Sequence, residues 1–501
     1  MKAYSALEAH FGRIGRLAAI EGLLHWDTET VLPAGAAADS GEQLAALRTL
    51  LHELETAPQL PEWLDRADDE ALDEWQRANV QEMRRRVWHQ RAVPAPLVAA
   101  LARAGTECVM AWREARARDD FAALLPRLEG VVALVRERAA AKAEVLCLAP
   151  YDALLDEYEP GLHAVRVDEV FDALASFLPG LIGDVIERQQ ARPGPLPWGV
   201  GFPLATQRVL AQRVMAVLGF DFQRGRLDPS THPFCSGGGD DVRITARWRE
   251  DSFVEGLQAV AHETGHALYE QGLPAAWRFQ PVGQARGMAL HESQSLLIEM
   301  QACRSRPFLS WLAPQLAELF DAGAALTASS PWSVDNLERV YRRVARSLIR
   351  VDADEVTYPA HVILRYRLER ALLGGGLPLR ELPGAWREGM LELVGVAPPD
   401  DRQGCLQDIH WMDGTFGYFP TYTLGAISAA QLHEAALGAH PELPQAIAAG
   451  DFQPLVRWLR THVHAQGSRL SGEALLHAAT GRGLDVGCFR AHLERRYLRG
   501  D

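Results

Sequence analysis

The sequence of 501 residues has few cysteines for its length, and its six cysteines lie far apart. No pair has the short spacing of a disulfide scaffold or a thiolate metal site, so buried free thiols are expected. Long hydrophobic runs are also missing, because none approaches the roughly 20 residues needed to span a bilayer. The N-terminal stretch is interrupted by charges and lacks the apolar centre of a secretory signal, which predicts a cytoplasmic protein with no membrane contact.

Positively charged residues are fewer than negatively charged ones. Lys and Arg number 51 against 65 Asp and Glu, which gives a formal net charge of -14. Nucleic acids are recognised through fields of Lys and Arg, so no nucleic-acid partner is expected. A surface of this sign does not attract anionic ligands from a distance, and a ligand that carries a carboxylate would therefore need a specific local cation.

Helical periodicity dominates the chain. Apolar residues recur at three- and four-residue spacing, which predicts amphipathic helices over 44–54, 75–88, 97–117, 124–145, 167–189, 205–218, 334–348, 361–373 and 426–437. Strand signal is confined to 241–248, where apolar and polar residues alternate after a glycine-rich segment, 236–239, that is typical of a flexible loop. Nothing resembles an interdomain linker. We expect one mostly α-helical domain over 1–501, with a long groove and a small β-sheet beside the helix considered next.

The most informative segment is 262–266, with the sequence His-Glu-Thr-Gly-His. Two histidines four apart on a helix project from one face, so His262 and His266 can hold one zinc ion. A catalytic zinc usually takes three protein ligands, and Glu292, near a predicted helix start downstream, is a candidate for the third. Glu263 would lie beside the metal, where it can take a proton from a water whose pKa the metal lowers. On its own, the pattern also fits ordinary core or surface histidines.

Four further motifs accompany this segment, and together the five resemble the M32 metallocarboxypeptidase family, the Taq carboxypeptidase type. They are Asp-Val-Arg-Ile-Thr at 241–245, His-Glu-Ser-Gln at 291–294, Ile-Arg-Val-Asp-Ala-Asp at 349–354 and Gly-Cys-Leu-Gln-Asp-Ile-His-Trp at 404–411. The resemblance covers essentially the whole chain. It departs from the family pattern at 31–33 and at Ser40, neither of which touches the inferred chemistry.

The resemblance implies that the two histidines and Glu292 hold zinc, with cobalt as an alternative metal, and that Glu263 is the general base. It also implies donors for the negative charge that develops on the substrate, each commonly worth about 3 to 4 kcal/mol. His410 and Tyr422 are favoured for this role, with Tyr418 a close alternative that the sequence does not separate from Tyr422. Ordinary aromatic packing and a satisfied core histidine are the other interpretations of these residues.

An enzyme that trims C-terminal residues must recognise a free carboxylate, and a guanidinium offers two parallel donors for it. The resemblance makes Arg350 the favoured anchor, although an ion pair with Asp352 or Asp354 would also explain it. Arg243 and Gln407 are weaker candidates for substrate contact. A cross-strand salt bridge is the alternative for Arg243, and hydrogen bonding at a helix end is the alternative for Gln407.

The predicted function is a zinc-dependent carboxypeptidase that releases single C-terminal residues from peptides, with broad side-chain tolerance and poor activity on terminal proline. The resemblance also implies a homodimer. One alternative is an oligopeptidase or dipeptidyl carboxypeptidase of the same fold, which would release different products. A second alternative is a non-catalytic peptide-binding protein, which would be expected to lack a metal ligand or the base.

Overall fold

Helices make up most of the computed structural model, which describes residues 2–323 and 325–500. Within those residues the α-helices are α1 (Ala3–Thr30), α2 (Ala37–Glu55), α3 (Leu60–Asp68), α4 (Glu74–Arg91), α5 (Ala95–Arg118), α6 (Phe121–Leu146), α7 (Pro150–Tyr158), α8 (Ala164–Ala175), α9 (Leu178–Gln190), α10 (Leu204–Leu218), α11 (Val254–Gly272), α12 (Met288–Leu296), α13 (Arg306–Phe320), α14 (Val334–Tyr341), α15 (Tyr358–Leu373), α16 (Leu382–Leu393), α17 (Pro420–Ala439), α18 (Leu443–Ala448), α19 (Gln453–His462), α20 (Gly472–Thr480) and α21 (Val486–Leu493). Two π-helical segments, Leu297–Ala302 and Glu494–Arg499, directly follow α12 and α21. In the described part of the chain, no helix combines the length and the apolar character that crossing a bilayer requires.

A three-stranded sheet lies against α11. Its strands are β1 (Gly225–Pro229), β2 (Cys235–Gly238) and β3 (Asp241–Ala246), in the order β1-β3-β2, with β1 parallel and β2 antiparallel to β3. Val242 and Ile244 of β3 are fully buried and share one apolar cluster with Val260 and Ala267 of α11. The prediction of a mostly helical fold with a small sheet beside the motif helix is therefore confirmed.

The sheet differs from the sequence prediction in two details. The strand predicted over 241–248 ends at Ala246. The glycine-rich segment predicted as a flexible loop is largely strand, because Cys235–Gly238 pairs with β3. Gly237 has a φ of +85°, and a Cβ there would lie 2.0 Å from the Asp241 carbonyl oxygen. Glycine is therefore needed at this position for the tight turn between β2 and β3.

Two predicted helices also require correction. The stretch 167–189 forms two helices, α8 and α9, and Pro179 in the first turn of α9 lacks the N–H that a continuous helix would use. The stretch 334–348 remains helical only to Tyr341. Beyond it, the Val344 N–H donates to Gln189 Oε1 at 2.9 Å and the Ala345 N–H donates to Asp354 Oδ2 at 3.0 Å. Side chains outside this segment thus accept hydrogen bonds from the backbone amides that a longer helix would use.

A buried carboxylate anchors the last helical segment, Glu494–Arg499, to the rest of the fold. Glu355 accepts hydrogen bonds from Arg496 Nη1 at 3.0 Å and from the Tyr497 hydroxyl at 2.8 Å, and it lies 2.7 Å from His492 Nε2. Burial alone would raise the pKa of Glu355, but the charges of Arg496 and His492 outweigh burial and hold that pKa well below its usual range. Arg496 also donates to backbone carbonyls of the π segment Leu297–Ala302, which fixes this segment in place.

Two glycines allow three helices to approach closely. A Cβ at Gly265 of α11 would lie 2.5 Å from the Gln294 carbonyl oxygen of α12. A Cβ at Gly425 of α17 would lie 2.8 Å from the Cβ of Glu292, also on α12. These distances are far below van der Waals contact, so α12 is held between α11 and α17 at points where only glycine fits.

Replacement of Gly265 by alanine is therefore expected to lower the free energy of unfolding, because the methyl group must push α11 and α12 apart, and overpacking typically costs about 1 to 3 kcal/mol. The matched control is Gly130→Ala, at an exposed position in α6 with no atom within 4 Å of the added Cβ. That change is expected to stabilise the protein by about 0.5 to 1 kcal/mol through helix propensity. Urea unfolding of both variants measures the difference, and equal stabilities would contradict the close-packing account.

Candidate metal centre

The residues of the His-Glu-Thr-Gly-His segment lie in the middle of α11, so the two histidine side chains emerge one turn apart on the same face. His262 Nε2 lies 3.9 Å and His266 Nε2 lies 3.6 Å from Glu292 Oε2 of α12. The three candidate ligand atoms are all within 4.8 Å of one another. The structure thus brings together the three side chains predicted as ligands, although they come from two different helices.

Each histidine is oriented by a partner on its Nδ1 atom. His262 Nδ1 lies 3.0 Å from Glu299 Oε2, and His266 Nδ1 lies 3.1 Å from the His291 carbonyl oxygen. Both partners are acceptors, so both Nδ1 atoms donate, and both Nε2 atoms face the space beside Glu292, where a metal ion would displace any proton from them. This is the tautomer that metal-binding histidines adopt.

Glu299 is a functional candidate that the sequence analysis missed. It lies on the π segment Leu297–Ala302 and is hydrogen bonded to the guanidinium of Arg304. Burial alone would raise the pKa of Glu299, but the charge of Arg304 and the hydrogen bond to His262 lower it. A negatively charged carboxylate therefore supports the ring of His262.

The electrostatics of this cluster suit a cation. Burial raises the pKa of Glu263 to about 7 and also raises the pKa of Glu292. The negative charges of neighbouring carboxylates add to both increases. Burial alone would lower the pKa of His262, but the charge of Glu292 and the hydrogen bond to Glu299 raise it to about 10. A divalent ion would neutralise this concentration of negative charge. Two imidazole nitrogens and one carboxylate oxygen are the donor set of many catalytic zinc sites.

Glu263 lies next to the candidate ligands, but its carboxylate has no hydrogen-bond partner in the described part of the chain. It follows His262 on α11 and is 8% exposed. Its carboxylate accepts no hydrogen bond from any residue that the structure describes, whereas Glu299 and Glu270 are both engaged by other side chains. Both oxygens of Glu263 are therefore available to a reactant beside the ligand cluster.

The guanidinium of Arg350 is buried and is held by hydrogen bonds to two side chains. Its Nε and Nη2 atoms donate to Asp408 Oδ1 at 3.1 and 2.9 Å, and Nη1 donates to the Tyr358 hydroxyl at 3.1 Å. The carboxylate partner is thus Asp408, rather than Asp352 or Asp354 as the alternative interpretation expected. One N–H on each of Nη1 and Nη2 has no acceptor among the described residues. Arg350 also lies near enough to Glu292 for its charge to oppose the burial-driven rise in the pKa of that carboxyl.

Gln407 is occupied by protein contacts. Its Oε1 accepts from the Arg350 N–H at 2.8 Å and from Arg365 Nη2 at 2.7 Å. Its Nε2 donates to three backbone carbonyls, those of Leu348, Gln403 and Gly404. The amide therefore fixes the backbone position of Arg350, and no polar atom of Gln407 is left for a ligand.

Arg243 is likewise engaged within the protein. Its Nε and Nη2 atoms each lie 2.9 Å from an oxygen of Asp241, two residues earlier on the same strand, so the pair is not the cross-strand bridge considered from sequence. The guanidinium also lies over the ring of Trp26 at 4.2 Å. Arg243 thus joins β3 to the end of α1 through a cation–π contact.

The aromatic candidates gather around Arg350. Its guanidinium lies 5.1 Å from the ring of Tyr422, and the rings of Tyr418 and Tyr422 are 5.2 Å apart in an edge-on arrangement. Burial raises the pKa of both phenols, and Glu292 contributes to both shifts, so both lie close to the ligand cluster. Burial lowers the pKa of His410 to about 4, so this ring is neutral near pH 7. Its Nδ1 has no hydrogen-bond partner among the described residues.

A second carboxylate missed from sequence fastens the loop that carries His410 and Tyr418. Glu369 of α15 accepts from Trp411 Nε1 at 2.8 Å, from the Gly417 N–H at 3.0 Å and from the Tyr151 hydroxyl at 2.8 Å. Burial raises the pKa of Glu369 to about 7. Nothing in its sequence surroundings signals this role, because its partners lie 42 or more residues away.

Comparisons with known proteins bear on the whole chain. The model of the carboxypeptidase Taq (M32) metallopeptidase family matches residues 6–497. Thermostable carboxypeptidase 1 of Thermus thermophilus is 40% identical over 497 residues, which cover 96% of this chain and 95% of that protein. Among solved structures, metallocarboxypeptidase 1 of Trypanosoma cruzi has 40% identity and a TM-score of 0.96 over 99% of this chain and 100% of that one. The M32 carboxypeptidase of Deinococcus radiodurans R1 has 36% identity and a TM-score of 0.93 over 99% of both chains.

Replacement of Glu292 by glutamine tests the ligand set. The variant is expected to bind Zn²⁺ at least about 100-fold more weakly, since loss of a direct ligand should cost no less than loss of an outer partner. Competition with a chromophoric chelator measures the dissociation constant. The control is Glu255→Gln, at an exposed position on α11, which should bind like the unchanged protein. Equal affinity in both variants would exclude Glu292 as a ligand.

Proposed function

The chain belongs to the M32 family of metallocarboxypeptidases, and from that premise we propose that it is a zinc-dependent carboxypeptidase that releases single C-terminal residues from peptides. Broad side-chain tolerance and poor activity on terminal proline are part of the proposal. It is supported chiefly by one observation: His262, His266 and Glu292 lie within 4.8 Å of one another, with the guanidinium of Arg350 close by. Such a pair of sites can hold a metal and a terminal carboxylate at the same time.

We assign metal binding to the Nε2 atoms of His262 and His266 and to the carboxylate of Glu292. Zinc, when bound, supplies a Lewis acid that polarises the scissile carbonyl and makes water easier to deprotonate. Glu263 takes the proton of the attacking water and passes it to the leaving amine. Its place next to His262 and its uncommitted oxygens suit a general base.

Hydrogen-bond donors stabilise the negative charge that develops on the carbonyl oxygen of the substrate. The proposal gives this role to His410 and Tyr422, with Tyr418 as the alternative. All three lie in one aromatic group, in which His410 and Tyr418 stack with ring centroids 6.1 Å apart. Preorganised donors of this kind need no reorientation during the reaction, which is the source of their effect.

Arg350 binds the free carboxylate of the substrate. Its ion pair with Asp408 fixes the guanidinium, and its two remaining N–H groups match the two oxygens of a carboxylate. The protein carries a formal net charge of -14, so a buried local cation is what an anionic chain end requires. An anchor beside the ligand cluster would limit cleavage to the last peptide bond, in contrast to an oligopeptidase or a dipeptidyl carboxypeptidase.

Three further expectations belong to the same proposal. Cobalt is an alternative metal, because Co²⁺ accepts the same nitrogen and oxygen donors. The resemblance to the family supports a homodimer in solution. The sequence composition supports a cytoplasmic location.

Replacement of Glu263 by glutamine is expected to lower kcat by about 10²- to 10⁴-fold, the usual contribution of general acid–base catalysis, with zinc content unchanged. Release of free amino acid from an N-blocked dipeptide and tripeptide measures turnover, and Glu255→Gln serves as the control on the same helix. Full activity of the Glu263 variant would exclude it as the base. Dipeptides or internal fragments as products of the unchanged protein would favour the alternative peptidases.

Replacement of Arg350 by lysine tests the anchor, because lysine keeps the charge and loses the paired donors. A lost charge-assisted hydrogen bond is expected to reduce kcat/KM by about 10- to 100-fold for peptides with a free C-terminal carboxylate. The loss should be much smaller for the same peptides with a C-terminal amide, which are poor substrates already. Arg243→Lys is the control and should leave the preference for the free carboxylate intact. If Arg350→Lys also left it intact, another residue would be the anchor.

A further inference from the structure

His266 has a more elaborate outer support than His262. The His266 Nδ1 atom lies 3.1 Å from the His291 carbonyl oxygen and 2.7 Å from the His291 Nδ1 atom. The His291 Nε2 atom in turn lies 2.9 Å from Glu270 Oε1. The three side chains therefore form a continuous chain of short contacts that runs from the ligand cluster to Glu270.

The partners assign one pattern of protons to this chain. An ionised carboxylate only accepts, so His291 Nε2 donates to Glu270. The ring of His291 then has a lone pair on Nδ1, which can accept from His266 Nδ1 together with the His291 carbonyl. A second proton on His291 would instead direct two N–H groups at each other across 2.7 Å. In the consistent pattern, Nε2 of His266 keeps its lone pair for a metal.

The chain also joins the two helices that carry the ligands. Glu270 lies four residues after His266, one turn further along α11. His291 precedes the candidate ligand Glu292 on α12, and its ring contacts both His266 and Glu270, so its side chain bridges the two helices. The other oxygen of Glu270 lies near β2, at 3.1 Å from the position that a Cβ on Gly238 would take. Strand β2 thus packs beside the carboxylate that accepts from His291.

We propose that His291 and Glu270 are positioning residues that act in series to hold the ring and the tautomer of His266 for metal binding. This inference rests on the metal site of the proposed function. The support differs in kind from that of His262, where Glu299 contacts the ring directly. Glu299 supports His262, whereas the His291–Glu270 pair supports His266, so the two supports act through different candidate ligands.

The test is the Zn²⁺ dissociation constant of purified protein, measured by chelator competition. Glu270→Ala and His291→Asn are each expected to weaken binding by about 10- to 100-fold, the usual effect of removing an outer partner. The double variant should bind Zn²⁺ no more weakly than the single variant with the lower affinity, because the two residues form one chain. Glu299→Ala combined with Glu270→Ala should show a larger loss than either single variant, because the two changes act on different candidate ligands. Glu255→Ala on α11 is the control and should bind normally.

A conservative variant separates positioning from general disruption. Glu270→Gln keeps an acceptor for His291 Nε2, so its affinity should lie between those of the unchanged protein and Glu270→Ala, about fivefold below the former. The thermal unfolding midpoint of metal-free Glu270→Gln should be close to that of the unchanged metal-free protein, because this variant keeps the contact between the two helices. The Co²⁺-loaded Glu270→Ala variant should show an altered ligand-field spectrum, because the His266 ring is no longer fixed.

Two results would overturn the inference. One is normal zinc affinity in both Glu270→Ala and His291→Asn, and the other is a double variant whose loss equals the product of the single losses. These measurements need no peptide substrate. An unchanged protein that binds zinc but releases no amino acid would refute the proposed activity and leave the positioning chain intact.

Discussion

The close approach of α11, α12 and α17 at Gly265 and Gly425 is the constraint on which the metal centre depends. The two candidate histidine ligands are on α11 and the candidate carboxylate ligand is on α12, so the separation of these helices decides whether one ion can reach all three. A zinc ligand lies about 2.0 to 2.2 Å from the metal, which leaves little tolerance for a helix displaced by a methyl group. Gly425 supports α12 from the other side, directly against Glu292. The packing of these three helices therefore determines whether the three side chains can coordinate one metal ion.

Charge is the second constraint. Glu263, Glu292 and Glu299 are buried together, and carboxylates in such surroundings are costly unless cations compensate them. Arg304 compensates Glu299, and Arg350 lies near Glu292. Glu355 and the C-terminal helix hold the π segment that carries Glu299. Groups far from the candidate ligand cluster in sequence thus offset part of its negative charge, and a divalent ion would offset the remainder.

Local patterns made the centre of the site predictable. A four-residue histidine spacing on a periodic helix predicts two candidate ligands, and the accompanying motifs predict Glu292 as the third, because these features are contained in short segments. The structure brings the three side chains together. Glu299 was not predictable in this way, because the π segment shifts the helical register after α12. The partner of Arg350 is Asp408, 58 residues away, and no short-range pattern shows that contact. The helix that ends at Tyr341 was overextended in the sequence prediction for the same reason, since Gln189 and Asp354 take the backbone amides beyond it.

We propose that one metal ion joins α11 to α12. X-ray absorption and anomalous diffraction on the zinc-loaded protein test it most directly. The account predicts one zinc per chain, with Nε2 of His262 and of His266 and an oxygen of Glu292 at about 2.0 to 2.2 Å. Zinc coordinated by other side chains, or a Glu292 carboxylate well outside that distance, would contradict the account.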